Sequence, residues 1–268
     1  MRIYHYTNIE TLALILKNKT IRFNRLDQVD DLEEGKAESL GVQFCKYVFV
    51  SCWTDVVEEN IPLWKMYGGD SGGIRISLEQ EMFKEYLAKD LDFKNGTSTI
   101  GSITIKIPPE DLTNPEYLIL PILDYDNPLF YRKIEYVKDI SEYVKDAIQN
   151  NKDGYKIEMM RFGYYKNKRW QFQNEVRFVL YIFPYNILQN GADPNASMRL
   201  MHSFFQNKPL PFHYYDMHLK DDALDNMEIT LSPSITEAQK IIVQTLIDKY
   251  APKATIKDST LGNIVRLK

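Results

Sequence analysis

Trp170-Gln171-Phe172-Gln173-Asn174-Glu175-Val176-Arg177 runs directly into Phe178-Val179-Leu180-Tyr181-Ile182-Phe183. In the first stretch Gln173, Glu175 and Arg177 occupy every second position. That spacing puts an amide, a carboxylate and a guanidinium on one face of an extended segment. The second stretch is an unbroken apolar run, long enough for a buried strand. Ionised groups therefore sit where a strand enters a core, and a charge is costly there unless it is paired or used. Two readings are open: a Glu175–Arg177 ion pair on an edge strand, or a functional constellation.

At the amino terminus, Arg2-Ile3-Tyr4-His5-Tyr6-Thr7 alternates as a short strand does. Thr7-Asn8-Ile9-Glu10 has the form of a capping box. Ile9, Leu12, Ala13 and Leu16 then recur at helical spacing up to Lys17-Asn18-Lys19. Thr20-Ile21-Arg22-Phe23-Asn24 reads as the next strand. His5 thus lies in a strand close to its junction with a helix, as a hydrogen-bonded structural group or as a catalytic one.

Further on, residues 30–45 read as a weak helix and 46–54 as a strand. Residues 61–67 form a short helix with Pro62 in its first turn. Gly68 to Gly73 is a turn into Ile74-Arg75-Ile76. It lacks the Lys-Ser/Thr of a P-loop and the register of G-x-G-x-x-G, so it reads first as a flexible connection. Ser77-Leu78-Glu79-Gln80 has the capping form again and predicts a helix to about Lys89. Strands are expected near 100–107, 117–124 and 130–136. A helical stretch over 137–168 follows, interrupted near 151–154, with Lys166, Lys168 and Arg169 as its solvated end.

Residues 184–211, richer in Asn, Pro and Gln, read as a surface excursion. Phe212-His213-Tyr214-Tyr215 and 227–231 are expected strands. Ser234-Ile235-Thr236-Glu237 is expected to cap a helix that turns Ala238, Ile241, Ile242 and Leu246 inward. Residues 254–257 and 264–267 close the chain as strands. The pattern predicts a single α+β domain over 1–268, with a mixed, largely antiparallel sheet and flanking helices.

Composition narrows the function classes. The 268 residues are 44% hydrophobic, enough for a sizeable core. A net charge of -4 leaves no global electrostatic footprint for nucleic acid. Cys45 and Cys52, the two cysteines, make neither a disulfide framework nor a zinc site. His213 and His218 stand five apart with no cysteine nearby, so no metal is expected. The start Met-Arg-Ile-Tyr-His has no apolar h-region and no apolar run approaches ~18 residues, so neither a secretory signal nor a membrane span is expected. A reducing cytoplasm is the simplest compartment.

Six motifs stand in order: the HYT start (His5, Tyr6, Thr7), the acidic turn Asp27-Gln28-Val29-Asp30-Asp31-Leu32-Glu33, Val48-Phe49-Val50-Ser51-Cys52-Trp53, Leu63-Trp64-Lys65-Met66-Tyr67, Trp170 through Arg177, and Thr230-Leu231-Ser232-Pro233. In this order they resemble the bacterial domain-of-unknown-function family numbered two-nine-seven-one, over nearly the whole chain. The chain departs from that family's pattern twice. Asp30-Asp31-Leu32-Glu33 replaces the Asn-Asp-Pro turn, and Gln173 stands where the first Glu of the W-x-x-E-x-E-x-R element is usual. A more distant resemblance is to ADP-ribosyltransferase-type folds, which also open with such a strand and helix.

The second resemblance implies roles. His5, with Tyr6 and Thr7 beside it, would be the first-strand contact to NAD. Ser51 or Tyr67 would support the nicotinamide side. Glu175 would hold the nicotinamide ribose, and Gln173 would orient an acceptor nucleophile. Arg177 would contact the NAD diphosphate, against the plainer alternative of a salt bridge to Glu175 or a neighbour. The Gly-rich turn would be a backbone cradle for that diphosphate. Aromatic residues near these motifs would stack a ring. The implied protein is an NAD-consuming transferase, a toxin or anti-phage effector. Its acceptor would be a protein or nucleic acid, and an antitoxin or partner protein would accompany it. Two alternatives stay open: a catalytically inert nucleotide- or partner-binding module of the same fold, and a metal-dependent hydrolase or nuclease using Asp27, Asp30, Asp31 and Glu34.

Overall fold

A computed structural model describes residues 1–68, 72–88, 92–93, 96–97, 101–112, 114–152, 154–186, 194–265 and 267. Among these residues ten strands form one sheet. They are β1 (Arg2–Thr7), β2 (Thr20–Arg25), β3 (Val48–Thr54), β4 (Ile74–Glu79), β5 (Leu118–Ile119), β6 (Tyr131–Lys133), β7 (Glu175–Phe183), β8 (Tyr214–His218), β9 (Glu228–Leu231) and β10 (Thr255–Asp258). Every pairing in it is antiparallel except β9 with β10. The fold is α+β with a mixed, mostly antiparallel sheet, as the pattern predicts.

The apolar run after Arg177 is an interior strand, buried at all nine positions of β7. β3 pairs with it from Glu175 opposite Thr54 to Tyr181 opposite Val48. β6 and β5 cover its other edge. Paired on both edges and covered on both faces, such a strand has no use for alternation. Phe178 packs among Phe83, Phe130 and Tyr131, at ring distances of 5.0, 5.2 and 4.9 Å.

At β3 the sheet forks. Its last residue, Thr54, pairs with Tyr4 of β1, whereas Val50 and Phe49 pair with Asn24 and Arg25 of β2. β1 continues into β4, β9 and β10, and β2 continues into β8. Helix α1 (Ile9–Asn18) joins the two arms and buries Leu12, Ile15 and Leu16. Its cap is Asn8, which accepts from the Thr11 amide at 2.8 Å. Thr7 is not the cap, because it still pairs with Ile74 inside β1. Helix α2 (Leu32–Lys36) is all the helix that 30–45 contains, apart from a 3₁₀ turn at Phe44–Lys46. Helix α3 (Ile61–Tyr67) carries Pro62 in its first turn and is capped by Asn60.

Several local expectations are corrected. Ser77 does not open a helix: β4 runs through it to Glu79, because Ser77 faces Tyr4 on one side and Glu228 on the other. Two flanking ladders outweigh a four-residue capping signal. Tyr86–Ala88 then pairs with Ile103–Ile105, and Lys89 lies outside the described residues. Among its described residues the 137–168 stretch holds one α-helical turn, Ser141–Val144, a hairpin of Ile148–Asn151 with Gly154–Ile157, and a 3₁₀ turn at Met159–Arg161. Gly154 supplies the positive φ (118°) that the hairpin turn needs. Tyr165–Asn167 follows as a strand parallel to Glu135–Val137.

Residues 187–193 of the 184–211 stretch lie outside the described residues. The same stretch forms α4 (Ala196–Phe205), whose Phe204 packs on Phe44, Tyr47 and Phe183. Helix α5 (Glu237–Tyr250) is capped by a Thr236–Gln239 box, two residues beyond the expected one. Its i,i+4 pair Val243 and Ile247 faces inward, which leaves Ala238, Ile241 and Ile242 exposed and Leu246 half-buried. Ile264 and Val265 close a turn on the Leu261 carbonyl instead of forming a strand.

Candidate functional site

Where the arms of the fork part, the middle of β3 is left facing a cavity of about 510 Å³. His5, Tyr6 and Thr7 reach it from β1, Ser51 from β3, Tyr67 from the end of α3, Gln173 from the turn before β7, and Glu175 from the start of β7. Arg177, the eighth residue singled out in the sequence, does not. It is fully buried one layer beneath the cavity floor.

The floor is built by a change of backbone conformation. Lys168–Gln173 is a 3₁₀ turn, Asn174 is left-handed (φ 44°), and the strand begins only at Glu175. Asparagine tolerates that conformation better than most residues. The expected single extended face is therefore corrected. Glu175 and Arg177 share a face of β7 and bond directly, Arg177 Nε to Glu175 Oε1. Gln173 comes alongside through the turn.

Lys166 links them. Its ammonium donates to Gln173 Oε1 at 2.7 Å and to Glu175 Oε2 at 2.8 Å, and stands 3.7 Å from Glu34 Oε1. It also lies 5.1 Å over the Trp170 ring. Expected in solvent, Lys166 is instead buried, because strand Tyr165–Asn167 carries it inward; Lys168 and Arg169 are exposed. Arg177 grips Glu34 with both terminal nitrogens, at 2.5 and 2.8 Å. Two carboxylates and two cations thus form a neutral buried tetrad, the arrangement in which buried charge is tolerable. Burial pushes the Glu175 carboxyl up, but Arg177 and Lys166 together outweigh it and hold the group down at about 2. Burial pushes Glu34 up, against the pull of the same two cations.

Around the walls, His5 Nδ1 is 2.9 Å from the Cys52 carbonyl and its ring lies 5.1 Å from that of Trp53. Burial pushes His5 down, outweighing that bond. Burial raises the Cys52 thiol, with Glu175 adding to the shift. The Tyr67 hydroxyl accepts from Gln173 Nε2 at 2.9 Å and is pushed up by burial and by neighbouring Asp30. Tyr6 accepts from the Asn60 amide at 2.8 Å, so it fixes the cap of α3 as well as lining the wall. Ser51 Oγ accepts from Trp53 Nε1 at 2.9 Å. Gly73 packs so closely that a Cβ there would come within 2.3 Å of Gly68 Cα and 2.6 Å of the Thr7 carbonyl. Residues 69–71 of the Gly-rich turn, its proposed cradle, lie outside the described residues.

The acidic run is divided among separate tasks. Asp27 takes a bidentate bond from Arg25, Asp31 caps α2 through the Glu33 amide, Glu34 joins the tetrad, and Asp30 lines the cavity. Among the described residues no group of three or more His, Cys, Asp and Glu is placed to hold a metal, and no helix is long and apolar enough to cross a membrane.

At the mouth, Arg22 donates to both oxygens of Asp216 at 2.9 Å and lies 3.6 Å over the Tyr214 ring. Lys166, Arg22 and Asp216 were not among the residues singled out in the sequence. Lys166 stands in a basic run that looks like a surface helix end, and Arg22 and Asp216 meet only through the register of β2 with β8.

Residues 63–178 match the model of the family described as "Protein of unknown function (DUF2971)". The matched stretch holds Tyr67, Lys166, Gln173, Glu175 and Arg177, whereas His5, Glu34 and Ser51 precede it. No curated protein and no solved structure matches the chain.

Proposed function

We propose that this chain is an ADP-ribosyltransferase-like enzyme that consumes NAD, with the fork cavity as its site. Convergence carries the reading. First-strand His5, middle-strand Ser51, Tyr67 on the helix beyond it, and late-strand Glu175 come from separate segments and line one cavity. Its volume lies in the ~300–1,000 Å³ range of small-molecule sites. Tyr4 and Trp53 in its wall supply rings on which a nicotinamide or adenine can stack. When the nicotinamide–ribose bond breaks, the sugar becomes oxocarbenium-like, and the Glu175 carboxylate is the negative group at the floor to stabilise it. Gln173, beside it, orients the acceptor. In this reading the protein is a bacterial cytoplasmic toxin or anti-phage effector, its acceptor is a protein or nucleic acid, and an antitoxin or partner protein accompanies it.

One observation favours a second reading. Both oxygens of Glu175 are engaged within the protein, one by Arg177 and one by Lys166. A carboxylate so neutralised is a weaker support for a cationic sugar. That favours the catalytically inert nucleotide-binding module.

The test is nicotinamide release from NAD by the wild type, Glu175→Gln and Tyr67→Phe, with cell lysate as acceptor source and a melting curve for each variant. Release by wild type, and none by a folded Glu175→Gln, supports the transferase. NAD binding without release supports the module. Neither binding nor release by the folded wild type removes both readings.

A further inference from the structure

The charged groups that line the cavity are unevenly matched. Among the described residues its lining carries two cationic side chains, Arg22 and Lys166, against three carboxylates, Asp30, Glu175 and Asp216. Each cation is already paired with a carboxylate. Arg22 is bidentate on Asp216 and stacked on Tyr214. Lys166 donates to Gln173 and Glu175. Asp30 lies beside the Tyr67 hydroxyl and has no cation within ion-pair distance among the described residues. His5 adds another acceptor. The Cys52 carbonyl can only accept, so Nδ1 carries the proton and Nε2 holds the lone pair. Burial keeps the ring neutral in support of this. Both cations of the wall are therefore paired with carboxylates, Asp30 and His5 Nε2 accept, and the summed charge of the wall is negative.

We infer that the cavity admits the uncharged or cationic, donor-bearing ring half of its ligand and leaves phosphate charge outside the mouth. A hydroxyl, amide or ammonium group meets His5 Nε2 and Asp30 as a donor. A phosphate entering the cavity would compete with Glu175 for Lys166, an exchange that strands a buried carboxylate, and at the mouth it would meet an Arg22 whose charge Asp216 already balances. For NAD this assigns the nicotinamide riboside half, whose ring is a cation, to the cavity. The diphosphate lies beyond Arg22. In its choice of nicotinamide the inference rests on the proposed function; in its sign of charge it does not.

The experiment is calorimetric binding of matched pairs to the full chain: nicotinamide riboside with its 5′-monophosphate, and adenosine with AMP, each at constant ionic strength. The expected result is that the riboside binds about fivefold tighter than its monophosphate, or more, and that Asp30→Asn narrows the gap by removing the charge that repels phosphate. Asp30 is an exposed loop residue, so that variant keeps the fold. A monophosphate that binds as tightly as its riboside, or tighter, overturns the inference and leaves the NAD reading standing. Adenosine tighter than AMP, with no nicotinamide compound bound, removes the NAD reading and upholds the inference. Failure of every nucleoside to bind the folded protein overturns it.

Discussion

Replacing Glu34 by alanine removes the carboxylate that Arg177 holds with both terminal nitrogens. Three members of the tetrad remain, Lys166, Arg177 and Glu175, and the buried site changes from neutral to one net positive charge. Arg177 has no exposure through which water could compensate, and its remaining acceptors are Glu175 and the Gly163 carbonyl at 3.3 Å. Breaking one side of a buried ion pair costs about 3–5 kcal/mol. At roughly 2–4 °C per kcal/mol for a chain of this order of size, Tm should fall by about 6–20 °C. Urea unfolding followed by tryptophan fluorescence reads the loss directly. The double variant Glu34→Leu/Arg177→Met removes a cation with the anion, leaves Lys166 paired with Glu175, and should recover at least ~2 kcal/mol of it. A loss under ~1 kcal/mol for Glu34→Ala, or a double variant no more stable than the single, would refute the view that the tetrad holds together by mutual neutralisation.

Other outcomes follow from the same geometry. Asn174→Gly should be nearly neutral and Asn174→Val should cost about 1–2 kcal/mol in the same denaturation assay, because φ is positive there. Gly163→Ala should also cost about 1–3 kcal/mol, since its φ is +71° and its Cβ would stand 3.0 Å from Val48 Cγ1. His5 is lowered from 6.5 by burial. The unfolded chain therefore takes up a proton first as pH falls, and the stabilising contribution present above 6.5 is lost below it. A Tm–pH profile should decline through that window and flatten in His5→Gln. Cys52, raised by burial, and Cys45, pushed up to about 11, should alkylate at neutral pH far more slowly in the native chain than in urea, as measured by mass spectrometry.

How much of this is legible in the sequence depends on the range of the forces involved. β1, α1, β2, β3, α3 and the interior strand β7 can be read locally, because alternation, capping residues and an apolar run each act within a few residues. The helix expected after Ser77 fails because the neighbours that keep β4 extended, Tyr4 and Glu228, lie far away in sequence. The long helix over 137–168 fails similarly, since Tyr165–Asn167 is extended only by pairing with Glu135–Val137. At the site, Gln173 and Glu175 are correctly foreseen as neighbours, but by the wrong geometry: a left-handed Asn174, not a two-residue repeat, brings them together. Lys166 is hidden by its company, two solvent-facing basic residues, and only tertiary structure separates it from them. Arg177 shows in the sequence as a charge at the edge of a core, and its place in the tetrad is the structural alternative weighed there.

The fork has a consequence for synthesis. β3 leaves the ribosome early, yet its partner along seven residues, β7, begins only at Glu175. At ~5–20 residues per second that partner arrives roughly 6–24 s later. Until then the nascent chain presents an apolar strand with an open edge, and Glu34 awaits an arginine not yet translated. Neither the cavity floor nor its charge balance exists in any amino-terminal intermediate shorter than about residue 180. If the cavity consumes NAD, the unfinished chain is harmless to the cell that makes it, and the interval is a window in which a chaperone or a binding partner can decide its fate.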